Sequence, residues 1–228
     1  MRKMSKIKTE IDARIRILAK TFKEKKHYLG LRRLASIPAA DYGQYLRDQL
    51  KRTFIKNTNS LLPRTEILVN LVLDMGNPSL SSKVLCIGCR NTSEINYFQS
   101  KGLHNVIGID LFSENPRIHV MDMHKLTFAD NSFDIIYSSH SLEHSYDIGQ
   151  VAREIIRVAQ NQTIIAIEVP VRYTTTEADR YDLKNIDGVM RLFSHCKSEI
   201  LWSDDLEART PNNHEGTPIV RVIFRIKK

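Results

Sequence analysis

Short apolar runs alternate with helical patterns from Lys83 onward, and this alternation constrains the fold more than any other feature of the chain. Each run is short enough to form one buried strand. The runs lie near 83–88, 105–110, 118–121, 133–138 and 162–168. Strands that alternate with helices form mostly parallel sheets, because crossover helices cover both faces. The sequence therefore predicts an α/β fold.

Helical patterns with recognisable ends lie between and before these strands. Pro63 opens a helix that Gly76 ends, as the usual proline and glycine preferences predict. Capping residues precede a second helix that Gly102 closes, and further helices are predicted over 147–159 and 185–195. The segment 111–117 is too short for a crossover helix.

Residues 1–60 are predicted to be a basic helical extension, and residues 61–228 the main domain. Residues 1–56 contain 16 Lys or Arg against 5 Asp or Glu, or +11, which leaves 18 against 21, or −3, for the rest. Apolar residues recur at helical spacing over 7–22 and again over 42–54. We expect these helices to serve as a lid, a substrate arm or a dimer arm, so a homodimer is one expectation.

Composition limits the partners and the compartment. A basic segment suits nucleic acid, an anionic surface or an acidic substrate, although a solvated helix face explains it more simply. No RNA-binding motif accompanies it. Three cysteines, Cys86, Cys89 and Cys196, indicate a reducing compartment, and no segment is typical of a signal peptide or a transmembrane helix. We therefore expect a cytoplasmic protein.

Glycines and carboxylates follow the predicted strands and indicate a binding site. Asp110 lies about 20 residues after Gly88, at the end of the next strand, where a carboxylate can accept hydrogen bonds from both hydroxyls of a ribose. Asp122 and Ser138 end two further strands. Ligands bind beyond the carboxyl ends of strands in open α/β sheets, so these residues should converge. The pattern favours a nucleoside-bearing ligand.

Val84–Cys89, Val106–Asp110 and Met121–Asp134 together resemble the class I S-adenosylmethionine-dependent methyltransferases, especially the branch acting on small molecules, quinones and sugars. The likeness covers about residues 80–170. Met121–Asp134 is its most specific part and looks like that family's acidic adenine-binding loop. The resemblance implies a Rossmann-like sandwich with a mostly parallel seven-stranded sheet and a reversed last strand. Residues 199–202 and 219–226 would then pair across the loop 204–217.

The resemblance also implies roles for individual residues. S-adenosylmethionine would be the cofactor, with its ribose on Asp110, its adenine amino group on Asp122, and its methionine portion near Ser138. The Met123 backbone and the Leu111 side chain would bracket the adenine, and Gly88 would let the backbone approach the ligand closely.

The turn after the first strand departs from the family pattern. Arg90 and Thr92 stand where glycines usually follow Gly88. Arg90 and Asn91 are candidates for binding the methionine carboxylate, assisted by amides at the next helix's start. The alternative is that Arg90 simply points to solvent.

Other ligand chemistries are less well supported. A dinucleotide site is disfavoured because Arg90 and Ser93 replace phosphate-binding glycines. Cys86 and Cys89 form a C-x-x-C pattern, for which ordinary packing is the favoured interpretation. Residues 140–144 match H-x-x-E-H, with Glu215 as a distant third ligand, but this segment directly follows a strand instead of lying on an established helix. No metal is expected.

An alcohol acceptor would lose a proton as it is methylated, which calls for a general base with a pKa near neutrality. His144 is the first candidate and His140 the second. Glu168, at the end of the fifth strand, would orient the base or bind a substrate hydroxyl, and His214 is a weaker acceptor-side candidate. The alternative for His144 is a helix-start residue bonded to backbone.

Three hypotheses about function follow. The first is O-methylation of a small molecule or a sugar, including a polysaccharide precursor. The second is RNA methylation, with the basic helices as substrate platform. The third is a non-catalytic cofactor-binding scaffold, which the departures at Arg90 and Thr92 keep open.

Overall fold

The computed structural model describes residues 41–55, 61–113 and 115–228, with the side chains of 53–55 left out of the description. The chain divides into two compact units, residues 1–54 and 55–228, which are described separately. The helix predicted over 7–22 lies outside the described residues. The boundary expected after residue 60, and the role of the extension before it, stay predictions.

The described part of the first unit is one helix, α1 (Asp41–Ile55), which confirms the helix predicted over 42–54. Tyr45 and Leu50 are buried, while Gln44 donates to Asp48 on the exposed side. An acid in the first turn and a base in the last complement the helix dipole.

The second unit is a seven-stranded sheet with helices on both faces. The strands are β1 (Val84–Ile87), β2 (Val106–Asp110), β3 (Ile118–Val120), β4 (Phe133–Ser139), β5 (Ala159–Pro170), β6 (Lys197–Leu206) and β7 (Ile219–Lys227). The helices are α2 (Pro63–Gly76), α3 (Ser93–Ser100), α4 (Ile148–Val158) and α5 (Ile186–Arg191), with a 3₁₀ turn at Leu142–His144. All five strands predicted from apolar runs are present.

The strand order is β3-β2-β1-β4-β5-β7-β6. The first five strands pair in parallel, and β7 lies between β5 and β6, antiparallel to both. The predicted α/β fold, with its reversed last strand, is therefore confirmed. The order changes direction between β1 and β4, and at such a point a crevice opens beyond the carboxyl ends of the strands.

Two apolar layers hold the sheet. Alternate residues of β1 point to opposite faces: Leu85 and Ile87 pack in the layer that includes α4, whereas Val84 and Cys86 pack in the layer that includes α2 and α3. Every residue of β1 is buried. This central strand reads as a continuous apolar run because helices cover both of its faces.

Three boundaries differ from the expectation. β5 begins at Ala159 and not at 162, because an irregularity lets Ala159 pair with Phe133 before the regular register begins at Ile135. β6 extends to Leu206, inside the predicted loop 204–217, because its last residues pair with β7. α5 ends at Arg191 instead of 195 and continues as turns.

Candidate functional site

The turn after β1 depends on the absence of a side chain at Gly88. Gly88 has φ +71°, and a Cβ built there would lie 2.3 Å from the Oγ atom of Ser141. That hydroxyl also lies 3.1 Å from the carbonyl oxygens of Ile87 and Ser139, either of which can accept its proton. The close packing of Ser141 against this turn is thus one reason why the position requires glycine.

Asp110 ends β2 beside this turn. Its Oδ2 accepts a hydrogen bond from the Arg90 backbone N–H at 2.9 Å, and its Oδ1 accepts one from the Phe112 N–H at 3.4 Å. Burial raises the pKa of Asp110, although these two N–H groups oppose the shift. The N–H of Leu111 also opposes the shift, so backbone amides on both sides of the crevice hold this carboxylate.

Arg90 and Asn91 shape the same turn in different ways. Arg90 is left-handed, with φ +44°, and its side-chain Nε is buried with no hydrogen-bond partner among the described residues. The Oδ1 atom of Asn91 accepts from the Ser93 N–H at 2.8 Å, at the start of α3. The burial of Nε does not fit a side chain that simply points to solvent, and it leaves a buried donor available to an anionic group.

Glu94, in the first turn of α3, carries a buried Oε2 atom that has no hydrogen-bond partner in the part of the chain that the structure describes. Burial raises the pKa of Glu94 to about 8, with the charge of Asp110 adding to the shift. At neutral pH this carboxyl therefore remains mostly protonated. A protonated carboxyl can donate a hydrogen bond, which an ordinary surface glutamate cannot do.

Asp122 follows β3 and is fixed by His124. The Oδ1 atom of Asp122 lies 2.7 Å from Nδ1 of His124, while Nε2 of His124 accepts backbone N–H groups from Tyr146 and Asp147 at 3.0 and 3.2 Å. Because Nε2 accepts, the proton must be on Nδ1, where it faces Asp122. The imidazole thus ties the loop after β3 to the start of α4.

Leu111 and Met123, the residues predicted to bracket an adenine, are both half-buried. Met123 packs against the core layer that includes α4. The rest of its loop is held by Arg157 of α4, whose guanidinium donates to the carbonyls of Leu126 and Phe128 at 2.8 Å each. A helix in the core thereby sets the position of the Asp122 loop.

Ser138 lies near the end of β4 with 1% of its surface exposed, and no residue within 41–55, 61–113 or 115–228 forms a hydrogen bond with its Oγ. Burying a hydroxyl without a partner costs free energy, so such an atom calls for an explanation. Arg90 Nε presents the same feature at the end of β1. Ser138 is in β4 and Arg90 is in the turn after β1, and the order of the sheet reverses between these two strands.

Glu168 lies in a buried charged cluster with His140 and Arg221. Arg221 Nε donates to Oε2 of Glu168, and Nε2 of His140 lies 3.0 Å from Oε1. Burial alone would raise the pKa of Glu168, but His140 and Arg221 hold it below its usual value. Arg221 faces Glu168 directly in the β5–β7 register. Glu168 contacts His140, as a residue orienting that imidazole would, but it is also half of a buried ion pair.

His144 ends the 3₁₀ turn after β4, with 22% of its side chain exposed. Its Nδ1 lies 2.8 Å from Oδ1 of Asp179 and 3.1 Å from the Ala178 carbonyl oxygen. Its Nε2 lies 3.6 Å from Oε1 of Glu143, a buried acid whose pKa burial raises to about 7. His144 thus meets a backbone carbonyl, as the simpler interpretation expected, and also a carboxylate. His214 is exposed and lies in the loop between β6 and β7, far along the chain from His140 and His144.

The two cysteines of the C-x-x-C pattern and the H-x-x-E-H segment have ordinary structural surroundings. Cys86 and Cys89 are buried free thiols, and burial raises the pKa of both. Residues 142–144 form only a three-residue 3₁₀ turn, and Glu215 pairs with Arg64 at 2.5 Å. Among residues 41–55, 61–113 and 115–228, no group of three His, Cys, Asp or Glu side chains is arranged to hold a metal ion.

Three residues of the site escaped sequence reasoning. His124 lies two residues after Asp122, a spacing at which an imidazole can reach the carboxylate, so a local signal existed. Ser141 and Asp179 gave no signal, because each acts on a partner more than 30 residues away. In each pair the two residues lie at or beyond the ends of different strands, and they meet because those strands end at the same edge of the sheet.

Comparison with known proteins agrees with the fold. Residues 85–167 match the family model described as a methyltransferase domain. No curated protein sequence matches the chain. The matched segment runs from β1 into β5 and so contains Gly88, Asp110, Asp122, Ser138 and His144.

Solved structures share the fold at low identity. A 1,6-didemethyltoxoflavin-N1-methyltransferase from Burkholderia thailandensis, with S-adenosylhomocysteine bound, is 18% identical, with 89% of this chain and 90% of that chain covered and a TM-score of 0.58. A SAM-dependent methyltransferase from Aquifex aeolicus is 16% identical, with 77% and 97% covered and a TM-score of 0.52. The [4+2]-cyclase SpnF is 16% identical, with 71% and 80% covered and a TM-score of 0.58.

Proposed function

We propose that this chain, which carries an S-adenosylmethionine-dependent methyltransferase domain, methylates a hydroxyl group of a small molecule or sugar. The observation that carries the proposal is the placement of His144, a partly exposed imidazole bonded to a carboxylate, directly after the strand that bears Ser138. Cofactor and acceptor groups would then lie at one edge of the sheet.

The residues at this edge fit the cofactor. Asp110 would bind the ribose, and Asp122, fixed by His124, the adenine amino group, with Leu111 and Met123 on either side of the base. The buried unpartnered atoms, Arg90 Nε and Ser138 Oγ, suit the polar methionine portion. When bound, S-adenosylmethionine supplies a methyl group whose bond to a positive sulfur breaks with the electron pair going to sulfur.

The protein's own task is to position the acceptor and to remove its proton. As the acceptor oxygen bonds to the methyl carbon, its proton passes to Nε2 of His144, which releases it to water afterwards. His140 is the less suitable base, because its Nε2 already faces the buried carboxylate of Glu168 at 3.0 Å. In this proposal Glu168 orients the imidazole of His140 and forms part of the wall of the site.

Binding of S-adenosylhomocysteine, followed by methyl transfer from labelled S-adenosylmethionine to a panel of sugars and phenols, tests the proposal. Calorimetry should show saturable binding, and label should enter at least one hydroxylated acceptor. A panel of amines distinguishes the nearest alternative, because the Burkholderia neighbour is named for methylation at a nitrogen. An absence of S-adenosylhomocysteine binding would contradict the cofactor assignment itself.

RNA methylation is the second candidate, and the charge of +11 over residues 1–56 favours it. Such a segment gains affinity for phosphates by releasing counterions, so binding should weaken steeply with salt. A gel shift with single-stranded RNA between about 50 and 200 mM salt separates the two functions. A gel shift that weakens steeply over this range, with label transferred to the RNA, would favour this candidate.

A non-catalytic or differently catalytic role is the third. The SpnF neighbour shares the fold and is named as a cyclase, so fold alone does not fix the reaction. Saturable binding of S-adenosylhomocysteine with no transfer to sugars, phenols, amines or RNA would favour this role.

The helices of the chain bear on its location. Within the part of the chain that the structure covers, no helix is both long and apolar enough to cross a bilayer. Cytoplasmic location and a homodimer are further proposals, which cell fractionation and sedimentation would test.

A further inference from the structure

Asp179 lies in the segment 171–185 between β5 and α5, and its carboxylate faces His144. The distance from Oδ1 of Asp179 to Nδ1 of His144 is 2.8 Å, within the range of a charge-assisted hydrogen bond. The two residues are 35 positions apart in the chain. Their contact therefore depends on how this segment is held against the 3₁₀ turn.

The segment is held on both sides of His144. The N–H groups of Arg180 and Tyr181 donate to the carbonyl oxygen of Glu143, at 2.8 and 3.2 Å. The Tyr181 hydroxyl donates to the Tyr146 carbonyl at 3.0 Å. These bonds hold Glu143, the residue before the imidazole, and Tyr146, two residues after it. The position of Asp179 is consequently set by backbone contacts that do not involve His144 itself.

The imidazole has its two nitrogens in different surroundings. Nδ1 faces Asp179 and the Ala178 carbonyl, so both of its neighbours accept hydrogen bonds. Nε2 lies 3.6 Å from Oε1 of Glu143, too far for a hydrogen bond. Tyr173 is the further titratable group here, and burial, then the charges of Glu143 and Asp179, raise its pKa. Among the described residues, Glu143 and Asp179 are thus the acids that lie against His144, and Tyr173 is a titratable group whose pKa the charges of both raise.

We propose that Asp179 is the positioning residue of His144. Its carboxylate accepts a hydrogen bond from the Nδ1–H of His144, which leaves the lone pair on Nε2, and it stabilises the imidazolium that forms when Nε2 takes a proton from the acceptor hydroxyl. This inference rests on the proposed function, since it assigns the partner of the same base. Asp179 itself touches neither the acceptor nor the cofactor.

The test uses the full-length ligand-free chain and the variant Asp179→Asn. The His144 imidazole is followed by NMR against pH and identified by its absence in His144→Asn. A carboxylate within about 4 Å favours an imidazolium by roughly 1–3 pKa units. The midpoint of the His144 titration should therefore fall by about 1 pH unit or more in Asp179→Asn. Glu177→Gln, an exposed acid two residues away, is the matched control and should leave the midpoint unchanged.

The midpoint is the deciding quantity, because the Ala178 carbonyl can accept the same Nδ1 proton and preserve the tautomer in the variant. Turnover is the second readout: kcat should fall about 10²-fold or more in Asp179→Asn, with S-adenosylhomocysteine affinity unchanged. An unshifted midpoint, or full turnover in the variant, would overturn the inference even if the wild-type protein is a methyltransferase. Failure of the wild type to bind S-adenosylhomocysteine would instead contradict the proposed function.

Discussion

The backbone N–H of Arg90 donates to Oδ2 of Asp110 at 2.9 Å, which joins the turn after β1 to the end of β2. Arg90 adopts a left-handed backbone, with φ +44°, to direct its N–H there. One carboxylate therefore has two tasks, since it fixes the turn and is the proposed ribose ligand. A substitution at Asp110 should disturb both.

Asp110→Asn should weaken S-adenosylhomocysteine binding about 10- to 100-fold, because a charge-assisted hydrogen bond is worth roughly 1.5–3 kcal/mol. Calorimetry measures the dissociation constant directly. Asp134→Asn is the matched control: Asp134 also accepts a backbone N–H, from Lys83 at 2.8 Å, but at the amino end of β4. Equal losses in the two variants would remove Asp110 from the cofactor site.

His144→Ala should retain S-adenosylhomocysteine affinity and lose turnover by about 10²–10⁴-fold, the usual contribution of a general base. Single-turnover methyl transfer to the accepted substrate measures this loss. His104→Ala, at an exposed turn before β2, is the control and should turn over normally. Unchanged turnover in His144→Ala would assign the proton transfer to another group.

Arg221→Met should lower the free energy of unfolding by about 3–5 kcal/mol, because it leaves the Glu168 carboxylate buried without its cation. Urea denaturation measures the loss. The deficit should shrink as the pH falls, since protonation of Glu168 removes the uncompensated charge. Arg225→Met, on the same strand, where the guanidinium donates to the Gly76 carbonyl at 3.2 Å, should cost much less. A similar deficit in both variants at every pH would argue against the ion pair as its cause.

Glu94→Gln should flatten the dependence of stability on pH. The ordinary pKa of a glutamate is 4.5 and that of Glu94 is raised to about 8, so between these values the unfolded chain releases a proton that the folded chain keeps. The free energy of unfolding therefore falls as pH rises through this window. At pH 8 we expect the melting temperature of the variant to exceed that of the wild type by roughly 10 °C, with little difference at pH 4.

Scanning calorimetry at both pH values checks this prediction, with the exposed Glu66→Gln as control. Glu143 contributes a slope of the same sign, because burial raises its pKa to about 7, so some dependence on pH should persist in Glu94→Gln. A variant that parallels the wild type at both pH values would show that the folded chain does not retain a proton on Glu94.

The sheet was predictable because its signals are local. Runs such as Val84–Ile87 and Ile219–Ile226 are buried on both faces, and burial on both faces requires an unbroken apolar sequence. Arg221 is a buried arginine within such a run, and the opposite residue Glu168 compensates its charge. The positions of Asp110 and Asp122 followed from the same logic, because strand ends meet at one edge.

The acceptor side of the site was not predictable for the opposite reason. Residues 171–185 show neither helical nor strand periodicity, and their position depends on single bonds such as that from Arg180 N–H to Glu143. Asp179 is one of several acids in this segment, and nothing in its neighbours distinguishes it. Equally, Ser141 beside Gly88 depends on a contact between two loops, for which the sequence carries no pattern.

The insertion of β7 between β5 and β6 has a consequence for synthesis on the ribosome. Both flanking strands are translated before the strand that separates them, so their facing edges must wait unpaired while residues 207–218 and then β7 are made. At about 5–20 residues per second, that wait lasts on the order of a second. During this wait the nascent chain exposes two strand edges, and Glu168 lacks its partner Arg221. A chaperone that binds strand edges would therefore bind most readily at this stage.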